Sequence, residues 1–352
     1  MTYPELLDHF DALDCRQALV EPCGSHAYVD LAVEAFRNLG SPVIDPGSVV
    51  ALVGGYSPRT IAWQFALLAQ ACVVIPIGER WQSRADDICD LTQAELIVEP
   101  DRIRVCCSRN GPDHPLYREL RAREHPGMVL MSEAPPGILR AIVHDAETML
   151  LRAAKRGEGH RRIACFPFDE IEGQYALLDC LVHGGCVIAP EYLTPSAVCG
   201  AAQEHQADFL QASPDLLGSL LERAEDICDL SSLRLISYGA PIPEATLAAL
   251  AAALPQARWV QHFARPELGV LCLTSRSGES TWAERRGSDF EFRAVDGRLE
   301  VRAQTTVLGC LNGPNPFSGD GWMQTGDFAE QDGNWIRILG HTLGATPGRR
   351  AA

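Results

Sequence analysis

From residue 48 to about residue 265, short β-rich runs take turns with helical patterns, a rhythm that few folds satisfy. Residues 48–53 (SVVALV) read as a buried strand, Pro58 opens a helix over 59–71, and 72–77 (CVVIPI) is strand again. Further strands are expected at 94–98, 127–131, 163–168, 186–189, 208–211 and 233–238. Helices are expected at 144–156, 174–182, 195–205, 214–224 and 243–254. Alternation of this kind builds parallel sheets with helices on their faces.

Beyond about residue 270 the pattern changes. Residues 290–295 and 298–303 flank Asp296-Gly297, a two-residue hairpin signal, and Asp332-Gly333 precedes a second β run at 334–339. The expected fold is therefore α/β: two parallel α/β layers over residues 1–265 plus a C-terminal antiparallel β subdomain over 266–341. Residues 342–352, rich in Gly, Pro, Arg and Ala, read as a flexible tail.

Composition narrows the function classes. A formal charge of −16 argues against nucleic acid or an anionic membrane as a main partner, because phosphate contacts need clustered Lys and Arg. The first residues show neither a basic segment nor an apolar one, and no apolar run approaches the roughly 20 residues of a membrane helix. The 13 cysteines are scattered without a C-x-x-C pair, which suits reduced thiols in a cytoplasmic protein; the adjacent Cys106-Cys107 has no supporting neighbours. The ten histidines form no H-x-x-x-H or H-E-x-x-H pattern, and there is neither a G-x-S-x-G elbow nor a G-x-G-x-x-G turn.

Gly321-Trp322-Met323-Gln324-Thr325-Gly326-Asp327, followed by Gly333-Asn334-Trp335-Ile336-Arg337-Ile338-Leu339-Gly340, resembles the "GW-x-x-TGD…G-x-x-x-ILGR" signature of adenylate-forming enzymes. That superfamily holds acyl-CoA synthetases, nonribosomal-peptide adenylation domains and luciferases. The resemblance runs from about Gly47 to Gly340 and implies the large N-terminal domain. The Lys-bearing domain of about a hundred residues that normally follows is not among these 352. It implies that Asp327 holds the ribose hydroxyls of ATP, as a carboxylate with two acceptor oxygens can.

Other stretches extend the resemblance. Tyr238-Gly239-Ala240-Pro241-Ile242-Pro243 is similar to the "GGAPLP" turn, which implies an adenine-pocket role for Gly239, Ala240 and Pro241. An ordinary strand-to-helix turn is the alternative. Gln261 to Gly269 takes the place of "Q-x-YG-x-[ST]E-x-G": Phe263 would stack on adenine and Glu267 would hold Mg²⁺, while Pro266 replaces the hydroxyl residue that contacts the α-phosphate. Phe168, Glu170 and Gly173 fall where the acyl pocket is lined, Glu170 standing where His is frequent. A solvated helix start with acidic first-turn residues is the alternative there.

The phosphate loop departs furthest from the pattern. Along residues 132–144, Gly137, Arg140 (for Lys) and His144 match, with Arg140 placed for the β/γ-phosphates. Two hydroxyl residues have become Pro135 and Pro136, losing side-chain and backbone donors alike, and Glu133 adds a negative charge. Two lost hydroxyl contacts amount to about 3 kcal/mol, roughly a hundredfold in affinity. His341 replaces the hinge Arg.

Two functions follow from these residues. One is an ATP- and Mg²⁺-dependent ligase that activates a small carboxylic acid as acyl-adenylate, with Glu267 and Arg140 in catalytic roles. Its acceptor step would be completed by an acyl or peptidyl carrier protein or by a separate chain supplying the C-terminal domain. The other is a relative that no longer uses ATP and serves as a binding or scaffold partner, or acts differently in the acyl cleft.

Overall fold

The computed structural model describes residues 1–341 apart from 100, 107–111, 134–136, 156, 224–228, 278–279 and 286–288. Pro135, Pro136, Cys107 and the expected tail thus lie outside the described residues. The chain divides into two compact units, each assembled from segments distant in sequence.

The first unit comprises Met1–His160, Phe166–Ala189 and Thr306–Asn315. Its seven-stranded sheet has the order Val307–Cys310, Leu139–Asp145, Gly127–Glu133, Val73–Ile77, Val49–Val53, Leu96–Glu99, Arg102–Val105. The four middle strands, from Gly127–Glu133 to Leu96–Glu99, are parallel, and antiparallel strands close both edges. Val49–Val53 and Val73–Ile77 are buried along their whole length, which is why they read as continuous apolar runs. Helix Pro58–Ala69 starts where sequence logic puts it: Ser57 accepts from the Thr60 N–H at 3.2 Å, and Pro58 takes the first turn. Cys186–Ile188 runs parallel to Gln17–Glu21, which pairs antiparallel with Gly24–Ala27.

The second unit comprises Arg161–Cys165, Pro190–Thr305 and Pro316–Ala352. Strands Arg161–Ile163, Phe209–Ala212, Leu235–Gly239 and Arg258–Arg265 are parallel. From Arg258–Arg265 onward the sheet continues antiparallel through Gly269–Ser275, Ala283–Arg285, Trp335–Gly340, Trp322–Asp332, Arg298–Ala303 and Phe290–Val295. Asp296 and Gly297, at φ 49° and 74°, make the expected turn.

The mixed α/β architecture agrees with the sequence reading, and several details differ. The strand expected over 163–168 is confined to Arg161–Ile163, because Pro167 lacks the ladder donor and the chain turns before helix Ile171–Val182. Residues 139–143, read as part of the phosphate loop, and 144–145, read as the start of a helix, form strand Leu139–Asp145 against Gly127–Glu133, and the helix begins at Ala146. Helices Tyr3–Leu13, Tyr28–Leu39 and Pro115–Arg123 were not anticipated. Among the described residues, the buried Cys72, Cys165 and Cys186 carry free thiols.

Candidate functional site

In the first unit, Gly127–Glu133 and Leu139–Asp145 run antiparallel, with Ser132 opposite Arg140. Gly137 follows at φ 87°, where only glycine is unstrained. Its N–H donates to Glu133 Oε1 at 2.7 Å. A carboxylate of the chain therefore already holds a loop donor that an anionic ligand would use. Arg80 lies 3.8 Å from Glu133 and 3.4 Å from Glu170, and Arg84 lies 4.0 Å from Glu133. Arg140 is partly buried; its guanidinium passes 3.7 Å from where a Cβ on Gly313 would stand. His144 is fully buried, with Nδ1 2.9 Å from Thr306 Oγ1, so its ring serves the sheet's packing rather than an open loop.

The segment before helix Ile171–Val182 is built on tight approaches. Phe168 is buried and meets Tyr56 edge-on, with ring centroids 5.6 Å apart. Gly173 has no room for a side chain, since a Cβ would collide with the Pro167 carbonyl oxygen. Asp169, which the sequence reading passed over, is 2% exposed; a Cβ on Gly78 would strike its carboxylate. The Gly78 backbone N–H bonds Asp169, while its Oδ2 has no partner. Burial pushes the Asp169 carboxyl up, and burial followed by the Asp169 charge does the same to Glu170, against the pull of Arg80.

In the second unit, Gly239 ends its strand opposite His262, and Gly340 at φ 86° abuts the 239–241 turn: a Cβ there would stand 3.1 Å from Pro241 Cγ. Phe263 is 5% exposed within a core cluster that includes Leu268, Leu271 and Leu273, with Ala240 packed against it. Its ring is thus mostly covered by aliphatic neighbours. Glu267 is partly buried in the connection where the Leu268 N–H closes on the Arg265 carbonyl at 2.9 Å. Among the described residues no three His, Cys, Asp or Glu gather as a metal site.

Asp327 sits in strand Trp322–Asp332 and is 5% exposed. Arg265 Nη2 donates to its Oδ2 at 2.6 Å, and His341 Nδ1 lies 2.9 Å from its Oδ1. Arg265 Nη2 also lies 3.0 Å from His341 Nε2. The same Arg265 nitrogen is 3.5 Å from His341 Nδ1, so the guanidinium lies against the imidazole ring rather than in line with either ring nitrogen. Arg265 escaped the sequence reading because the motif leaves its position unspecified and its partners are 62 and 76 residues away.

Comparison with known proteins matches residues 138–289 to the AMP-binding enzyme family model. No curated protein sequence matches the chain. Among solved structures, the N-terminal domain of FACL13 from Mycobacterium tuberculosis superposes with a TM-score of 0.75 at 18% identity, covering 96% of this chain and 99% of that one. The nonribosomal peptide synthetase FmoA3 gives 0.76 at 18% identity over 97% of this chain, which spans only 42% of that protein; it has also been solved with AMPPNP bound. The o-succinylbenzoate CoA synthetase of Bacillus subtilis gives 0.75 at 15% identity, covering 95% of this chain and 77% of that one. The fold is therefore that of the N-terminal domain of adenylate-forming enzymes. Among the described residues no helix is long and apolar enough to cross a membrane.

Proposed function

We propose that this chain is a relative of the adenylate-forming acid ligases that keeps a nucleoside site but has lost the activation of acids by ATP. The observation that carries the reading is the Gly137 N–H, already bonded by Glu133 at 2.7 Å. A triphosphate oxygen seeking that donor would have to displace the Glu133 carboxylate, which Arg80 and Arg84 also approach within 4.0 Å. Pro266 further withholds the hydroxyl that the resemblance assigns to the α-phosphate. Both features leave a triphosphate fewer contacts than the resemblance assigns to it.

The nucleoside half is different. Asp327 carries two carboxylate oxygens in a buried position, acceptors of the kind to which a ribose diol donates. By resemblance, an adenylate would be the ligand of Asp327, and a small carboxylic acid the ligand of Phe168, Glu170 and Gly173. A carrier protein or a separate C-terminal domain chain would be the partner for any later transfer.

Acid-dependent exchange of pyrophosphate into ATP, with Mg²⁺ and a broad panel of carboxylic acids, tests the reading. The expected result is no exchange above background. Robust exchange with any acid would sink it and leave the second reading, an ATP-consuming ligase, for which the retained Asp327 and Glu267 speak. In that reading Arg140 would meet the β/γ-phosphates, and Glu267 would hold the ion that neutralises phosphate charge.

A further inference from the structure

Spacing along the sequence leaves Cys106 without a supporting neighbour, and the fold supplies one. Cys89 lies in helix Ala85–Thr92, and Cys106 directly follows Arg102–Val105, the outermost strand of the first unit's sheet. The Cys89 S–H donates to the Cys106 sulfur. Both are free thiols. Cys89 is 5% exposed within the core cluster of this sheet, and the half-buried Cys106 packs against the same cluster. Their backbones are held in place. The Ala94 N–H bonds the Cys89 carbonyl at 2.9 Å, and the Cys106 N–H bonds the Glu95 carbonyl at 2.8 Å. Two thiols distant in sequence are thus kept in contact by anchored segments.

The geometry points to a modification site: Cys89 and Cys106 form a dithiol that exchanges with low-molecular-weight disulfides to give a reversible cross-link. The two sulfurs have different roles. Cys106 is the more accessible, and the hydrogen bond from Cys89 favours its thiolate. That thiolate attacks one sulfur of a disulfide RSSR; the S–S bond breaks, and one RSH leaves with the proton that Cys106 lost. Cys89 then gives up its proton, attacks the Cys106 sulfur and expels the second RSH. In sum, RSSR is reduced to two RSH while two protein thiols are oxidised to one disulfide. Burial pushes the Cys89 thiol up to about 12. Burial raises Cys106 too, with Cys89 and Arg104 pulling it down, so the exchange is slow at neutral pH. The product fastens helix Ala85–Thr92 to the open edge of the sheet and constrains the unfolded chain.

Equilibrating the full chain at fixed reduced glutathione and rising oxidised glutathione, trapping the thiols by alkylation and mapping the peptides by mass tests the proposal. The wild type should yield peptides joined from Cys89 to Cys106, released by dithiothreitol. Half-oxidation of this pair should need at least about tenfold less oxidised glutathione than in concentrated urea. Cys89→Ala should carry glutathione on Cys106, whereas Cys106→Ser should leave Cys89 unmodified. A wild type in which Cys106 joins Cys107 instead, keeps glutathione, or stays reduced across the series would overturn it. So would equal half-oxidation with and without urea. The wild-type map decides the matter even where a variant fails to fold.

Discussion

At the scale of single residues, the second unit contains a histidine whose burial disfavours its charged form. His262 is 2% exposed, with Nδ1 2.9 Å from Ser237 Oγ, and burial lowers its pKa to about 4. In the unfolded chain the ring titrates near 6.5. Between these values the unfolded state binds more protons, so stability rises with pH across the window. The contribution is fully present above pH ~6.5 and is lost as the pH falls towards 4. At 1.36 kcal/mol per unit this comes to about 3 kcal/mol. Urea unfolding of the wild type and His262→Gln at several pH values should show the wild type losing about that much more stability between pH 7 and 4. Parallel curves would refute it. Asp327 shows the complementary limit of a residue-level reading: its identity and motif pointed to a ligand carboxylate, yet Arg265 and His341 as its bonded partners followed only from the folded strands.

At the scale of elements, helices Pro58–Ala69 and Ile171–Val182 are tied inside the first unit by two fully buried amides. Gln64 and Gln174 exchange hydrogen bonds of 2.8 and 3.1 Å, and Gln174 Nε2 donates to the Phe168 carbonyl at 2.6 Å. The pair thus fixes the approach to the Phe168–Gly173 segment. Gln64→Leu strands the Gln174 carbonyl oxygen in a dry core and should cost about 1–3 kcal/mol. The double variant Gln64→Leu/Gln174→Leu should cost less than the two single changes added, because it leaves fewer orphaned amide groups. Strict additivity in chemical denaturation would contradict this. The helices were legible from Pro58 and from apolar periodicity, whereas the amide pair was not: 110 residues separate its members. In the phosphate-loop stretch the charge of Glu133 was visible in the sequence, but its bond to Gly137 required the strand register that brings 133 and 139 opposite each other.

At the scale of the whole molecule, neither unit is a continuous length of chain, and this makes a prediction about fragments. Strand Val307–Cys310 covers the edge strand Leu139–Asp145. Asn312 adds a bond of 3.1 Å from the Ala141 N–H and one of 2.7 Å to the Leu139 carbonyl, while Thr306 partners the buried His144. A fragment of residues 1–189 loses that cover and exposes a long apolar edge, so it should self-associate in sedimentation velocity. A peptide of residues 305–316 added in excess should restore a monomer. A monomeric fragment without the peptide would show that the edge needs no cover. The sequence by itself determined the α/β rhythm, the two D-G hairpins and the landmarks from Gly239 to Asp327, because each is written in local periodicity, turn chemistry or a short motif. Only the tertiary structure decided that Glu133 closes on Gly137, that Phe263 is mostly covered, that His144 is buried and that Arg265 and His341 hold Asp327. The first is a local bond set by how the two strands fold back, and the others depend on which distant segments share a strand register or a core; short-range sequence pattern carries no term for charges that meet across 62 or more residues.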